Sequence, residues 1–161
     1  IMLAGITMDT NRFSVKTGVR TFEAAAWLKR QGADTTEVKR FFQTDMKLFK
    51  IRAKCVSKAT ITKDGQAMTI CEGEHNNAQI ITAQIADELL SVKGVKAGYV
   101  AARDIQGGTV MSARSLGAVN VQTVMEKLGG GGHLTTAGCQ SKETPEELIK
   151  KLKAVLREDE E

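Results

Sequence analysis

The sequence predicts an α/β fold in which a mixed β-sheet is covered by helices. Three observations carry that expectation. β-rich segments alternate with segments whose apolar residues recur at helical spacing. Asp64-Gly65 sits between two β-rich runs, a strong hairpin signal. Thr144-Pro145-Glu146-Glu147 opens a closing helix that carries Leu148, Leu152 and Leu156 on one face. With 161 residues, 42% hydrophobic and 26% charged, and one proline, the chain is an ordinary globular polypeptide with material for one good core or two small ones. Neither a secretory leader nor an apolar run of the ~18 residues a membrane span needs is visible.

Taken in order, residues 2–8 read as a buried strand that runs into Asp9-Thr10-Asn11. A carboxylate at the end of a buried strand is placed to hold a metal or ligand; capping of local N–H groups is its commoner role. Because the chain opens inside this strand, it reads as a piece of a longer protein. Thr21 caps a helix over 22–28 that stops at Gly32. Asp34-Thr35-Thr36-Glu37 is a capping box for a long helix reaching about Cys55, with Val38, Phe42, Met46, Phe49 and Ala53 on one face. That helix reads as a linker to a second domain at 58–158, leaving 1–57 as the remnant of another domain.

Residues 59–62 and 67–71 form the hairpin around Asp64-Gly65. Asn76 or Asn77 caps a helix with Ile81, Ile85 and Leu89 inward, and His75 beside them reads as a surface or capping residue. Residues 95–103 and 109–114 are strands joined at Gly107-Gly108, and Asn120 caps a short helix ending at Leu128. Residues 136–140 form a further strand, and the acidic end at 158–161 is expected to fray. Cys55, Cys71 and Cys139 are odd in number and far apart, which predicts buried, reduced thiols of a cytosolic protein. A net charge of +4 fits an anionic ligand without requiring one. The basic run Lys47, Lys50, Arg52, Lys54, Lys58 reads as a solvated helix face.

The chemistry concentrates in Gly129-Gly130-Gly131-Gly132-His133 and in Ser112-Ala113-Arg114-Ser115. Four glycines in succession do not suit the interior of a helix or strand. Their bare amides can approach a ligand closely, and concave runs of amides bind anions. His133 adds a donor, and Arg114 adds a planar fork matched to two phosphate oxygens. Strand alternation puts Ser112 and Arg114 on one face. The expected ligand is a phosphate-bearing small molecule. Taken singly, a glycine run is equally a flexible connection and a lone histidine is more often structural. No Lys-Ser or Lys-Thr follows, so this is not a Walker A loop.

The joint pattern is more specific. Gly5-Ile6-Thr7-Met8-Asp9-Thr10 with Phe13, Arg20-Thr21-Phe22, Ser112-Ala113-Arg114-Ser115, Asn120-Val121 and the Gly-Gly-Gly-Gly-His run with Ala137-Gly138 resemble the DHH-superfamily phosphoesterases. The run 121–127 is most similar to the GdpP-type cyclic di-AMP phosphodiesterases of Gram-positive bacteria. The resemblance implies the end of a catalytic Asp-His-His domain followed by a DHH-associated substrate-binding domain. It implies hydrolysis of cyclic di-AMP to the linear dinucleotide by two manganese ions, with Asp9 a metal ligand. It implies substrate contacts from Ser112, Arg114, Ser115, Gly130, Gly131, Gly132 and His133. Because this chain has no Asp-His-His sequence, it is expected to be inactive alone and not to hold the two ions. Expected partners are a cyclic dinucleotide or short oligonucleotide, the protein's own catalytic domain, and a second copy through the apolar N-terminal region. An oligonucleotide exonuclease and a non-enzymatic nucleic-acid module are the alternatives. The expected location is cytoplasmic, with the parent anchored to the inner face of the membrane.

Overall fold

In the computed structural model, which describes residues 1–158, the chain divides into two compact units, Ile1–Met46 and Lys47–Glu161. Beyond the backbone of Glu158, the tail expected to fray lies outside the described residues.

The first unit holds α1 (Met2–Asp9), α2 (Val19–Arg30) and α3 (Thr35–Phe41). The strand expected over 2–8 is therefore a helix. A strand must pair with a neighbour, whereas a helix satisfies its backbone internally. Here Thr7 Oγ1 donates to the Leu3 carbonyl at 2.8 Å and Thr10 Oγ1 to the Ile6 carbonyl at 2.6 Å. Asp9 consequently ends an exposed helical turn, not a buried strand. After α2, Gly32 adopts φ +92°, and the N–H groups of Gly32 and Ala33 donate to the carbonyls of Lys29 and Leu28. This is the glycine stop read from the sequence. The long helix expected over 34–55 is two helices: α3 ends at Phe41, and α4 (Met46–Ser57) starts after Gln43, Thr44 and Asp45. Short polar side chains such as Thr44 and Asp45 compete with the helical backbone and favour its ends.

The second unit is one six-stranded sheet of β1 (Thr60–Ile61), β2 (Gln66–His75), β3 (Ala97–Asp104), β4 (Thr109–Ser115), β5 (Gly131–His133) and β6 (Thr136–Ser141), ordered β1-β2-β3-β4-β6-β5. Only β2 and β3 are parallel, joined by α5 (Ala78–Leu89), so the sheet is mixed as expected. Strand alternation divides its side chains between two cores. Ala67, Cys71, Val100, Ala102 and Val110 pack under Ile81, Ile85 and Leu89 of α5. Met68, Tyr99, Ala101, Met111, Ala113 and Cys139 face α6 (Val121–Lys127) and the leucine stripe of α7 (Pro145–Glu158). Sequence reading placed the three inward α5 residues and the α7 stripe correctly. His75, expected as a surface or capping residue, is not at the surface: it is buried at the end of β2, where its Nε2 lies 3.0 Å from the Glu72 carbonyl.

The cysteine expectation also requires correction. Cys55 and Cys71 form a disulfide, with Cα atoms 5.3 Å apart, and Cys139 is the free cysteine among the described residues. The hydrogen bond from Thr69 Oγ1 to the Cys55 carbonyl, 2.7 Å, lays the end of α4 against β2 and brings the two thiols together. Lys54 and Lys58 of this segment both pair with Glu72, and their hydrogen bonds and charge hold its carboxyl down at about 2.

Thiol titration of the denatured, unreduced chain should find one thiol, Cys139; three thiols would show the Cys55–Cys71 bond absent. Leu152 is fully buried between α7 and the sheet. Leu152→Ala should lower the free energy of unfolding by about 2–5 kcal/mol in urea melts.

Candidate functional site

The sheet is shielded unevenly. Helix α5 covers β3 and β4, but β6 and β5 extend past it, leaving a cleft of about 430 Å³ between the flank of α5 and the β4–β6–β5 ladder. Residues paired across antiparallel strands send their side chains to the same face. The register therefore writes the cleft in rows. Ser112 pairs with Gly138, which pairs with Gly131; Arg114 pairs with Thr136, which pairs with His133. The first row is a floor with almost no side chains. In the second, Arg114 and Thr136 make a polar wall. Gln79 and Ala83 of α5 close the opposite side.

The four glycines divide three tasks among them, and they do not form a loose arc of free amides. Gly129, at φ +80°, ends α6, with the N–H groups of Gly129 and Gly130 donating to the carbonyls of Glu126 and Met125. A Cβ on Gly130 would overlap the Gly138 carbonyl and the Cys139 side chain, and one on Gly132 would overlap Thr136 and Ala137 of β6. Gly131 has open space where a Cβ would be, and that space is the cleft. Contrary to expectation, Gly131 and Gly132 are strand residues. Close approach of β5 to β6 selects glycine at 130 and 132.

Arg114 is the cation of the cleft. It is 18% exposed, its Nη1 donates to the Ala113 carbonyl at 2.9 Å, and its Nε lies 3.4 Å from Asp87 Oδ1 on α5. Burial raises the Asp87 carboxyl above its ordinary value, and the nearby guanidinium opposes that shift without cancelling it. The remaining donors of the fork are those available to a ligand. Ser112 lines the floor, but its Oγ lies 2.8 Å from Thr82 Oγ1. Thr82 gives its own proton to the Ala78 carbonyl at 2.9 Å. Ser112 then donates to Thr82 and offers the cleft only lone pairs. Its task is to pin α5 to β4.

Of the residues expected to hold substrate, Ser112, Arg114, Gly130, Gly131 and Gly132 meet in this one cleft. His133 stands at the exposed outer end of the Arg114 row and does not line the cleft. Ser115 is one residue beyond Arg114 and, by the pleat, points to the other face. There its Oγ donates to the Val119 carbonyl at 2.7 Å and braces the following loop. Asp9 belongs to the first unit. Among the described residues no three His, Cys, Asp or Glu side chains gather as a metal site, so the residues present do not supply the donor set of a two-metal centre. Sequence reading missed Gln79, Ala83, Thr136 and Gln140 as walls. Gly138, a glycine inside a predicted strand, was the available signal of a close approach.

The family model described as the DHHA1 domain matches residues 64–158, which include the whole cleft. The chain belongs to the DHHA1 domain family. The cyclic-di-AMP phosphodiesterase GdpP of Geobacillus thermodenitrificans is 46% identical over 141 residues, covering 86% of this chain and 21% of that protein. The cyclic-di-AMP phosphodiesterase PdeA of Listeria monocytogenes is 43% identical over 142 residues, covering 88% and 22%. GdpP of Bacillus subtilis is 42% identical over 98% of this chain and 24% of its own length. The chain thus spans between a fifth and a quarter of these relatives. Among solved structures, an exopolyphosphatase-related protein from Bacteroides fragilis superposes with a TM-score of 0.80 at 20% identity, covering 95% of this chain and 47% of that one. A pGpG-specific phosphodiesterase from Vibrio superposes at 0.52 with 15% identity, covering 96% and 57%. These two likenesses establish the fold.

Two glycine substitutions separate the DHHA1 fold from its cleft. Gly130→Ala should cost about 1–3 kcal/mol of stability, because the added methyl meets β6 backbone. Gly131→Ala should change stability by less than about 1 kcal/mol and place its methyl on the cleft floor. Urea melts of both variants check the pair; equal destabilisation would show that the floor is packed, not open.

Proposed function

We propose that this chain is the nucleotide-binding part of a phosphodiesterase that opens cyclic di-AMP to the linear dinucleotide. The carrying observation is that Arg114 projects beside a floor made of Gly131 and Gly138, within one cleft. A planar cation beside bare backbone suits a phosphodiester: the guanidinium forks two oxygens, and the missing side chains let sugar and phosphate lie close to the sheet. Relatives named as cyclic-di-AMP phosphodiesterases, at 42–46% identity, support the choice of substrate.

In this reading two manganese ions and the attacking hydroxide belong to a catalytic domain of the parent. Asp9 contributes at most one ligand, and the isolated chain binds without cleaving. The apolar surface of the first unit, where Met2, Phe22, Trp27 and Phe41 are exposed, is assigned to contact with that domain or, in its absence, with a second copy. No helix among the described residues is long and apolar enough to cross a membrane. Placement in the cytoplasm beneath a membrane-anchored parent is part of the same proposal.

Calorimetric titration with cyclic di-AMP, its linear product and a short oligonucleotide tests the reading. Arg114→Ala should weaken dinucleotide binding by roughly 1.5–3 kcal/mol, the range for hydrogen bonds to a charged group. Unchanged affinity in that variant overturns the assignment. One cation predicts a shallow salt dependence, whereas a polynucleotide groove would lose affinity steeply between low and moderate salt. Incubation of the purified chain with manganese and cyclic di-AMP should give no product above blank; cleavage would refute the division of roles.

A further inference from the structure

The cleft does not end at Ser112. Gln79, Val110 and Gln140 line it and also line a larger cleft of about 960 Å³ at the opposite end of β4, bounded by Asn76, Asn77 and Gln106. Val110 pairs with Gln140 across the ladder and is buried toward α5, so Gln140 stands on that same side, with Gln79 on the helix bordering the same stretch of cleft. The two clefts are one groove along the flank of α5. From Arg114 to Val110 it follows four strand residues, about 14 Å.

Its two ends differ chemically. Arg114 supplies charge at one. The other is edged by five carboxamides, Asn76, Asn77, Gln79, Gln106 and Gln140, and the described residues make no hydrogen bond to their side-chain amides. The charged groups bordering that end, Asp104 and Lys142, are opposite in sign. A carboxamide presents a donor and an acceptor side by side, matching the N6 donor and N7 acceptor of adenine. Guanine presents two acceptors there and is better met by a cation.

We infer that the carboxamide end is an adenine-reading subsite. Gln79 and Gln140 pair with the base edge of a nucleotide whose phosphate lies against Arg114. The inference rests on the phosphate reading above and adds the determinant of base choice.

Titration of the full chain with an adenine dinucleotide, a guanine dinucleotide and inorganic pyrophosphate, which has no base, tests it. Gln79→Met and Gln140→Met keep side-chain length at exposed positions and remove the amide. Each should weaken the adenine dinucleotide about ten-fold, leave guanine dinucleotide and pyrophosphate within about two-fold, and erase the preference for adenine. Arg114→Ala should weaken all three. Parental adenine affinity in both glutamine variants, or equal weakening of all three probes, overturns the subsite while the Arg114 result stands. If the parent chain binds none of the probes, both the phosphate reading and the subsite fall.

Discussion

Backbone pairing among β4, β6 and β5 sets Ser112, Gly138 and Gly131 in one row, and every feature of the cleft depends on that register. A slip of one residue would turn Arg114 toward α6 and α7 and bring Ala113 and Ala137 to the α5 face. Several local constraints hold the register. Gly130 and Gly132 let β5 lie against β6 more closely than any side chain would allow. Beyond the strand ends, the N–H groups of Ser115 and Val121 donate to the carbonyls of Thr135 and Leu134, tying down the connection between β5 and β6. Ser112 and Thr82 fix the helix over the same strands. The glycines thus act first through packing, and the open floor follows from it.

The electrostatics of the cleft are restrained for a chain with net charge +4. Its cation is paired on one side with Asp87, whose carboxyl burial still holds above its ordinary value. A partly neutralised guanidinium gives local anion recognition without a long-range positive field. The clustered lysines Lys54 and Lys58 are already paired with Glu72. A nucleic-acid track needs a row of free cations and stacking aromatics; the lining of this groove has neither aromatic residues nor such a row. The proposed short, singly contacted phosphodiester matches that distribution.

Much of this was legible in the sequence, for definable reasons. Asp64-Gly65, Gly107-Gly108 and Thr144-Pro145 mark turns and a helix start through backbone preferences that tertiary contacts did not override. Strand alternation sufficed to put Ser112 and Arg114 on one face. What failed depended on partners far along the chain. Residues 2–8 carry an apolar run that fits helix or strand equally, and as a helix it satisfies its backbone without a pairing strand. The Cys55–Cys71 bond depends on α4 folding back on β2, which spacing alone does not reveal. The motif groups Ser115 with its neighbours, whereas strand alternation sends it to the opposite face. The walls from Gln79 and Gln140 are exposed glutamines with no local signature, and only the register identifies them.

The inventory of the cleft also separates recognition from chemistry. A general base must be ionised or neutral as required and within reach of the proton it takes. Asp87 is engaged by Arg114. Cys139, at the back of the cleft, has its thiol pushed up to about 11 by burial and stays protonated near neutral pH. The proton of Ser112 is committed to Thr82 once Thr82 has turned to the Ala78 carbonyl. No lining side chain is poised to take or give a proton, yet several are poised to orient a ligand.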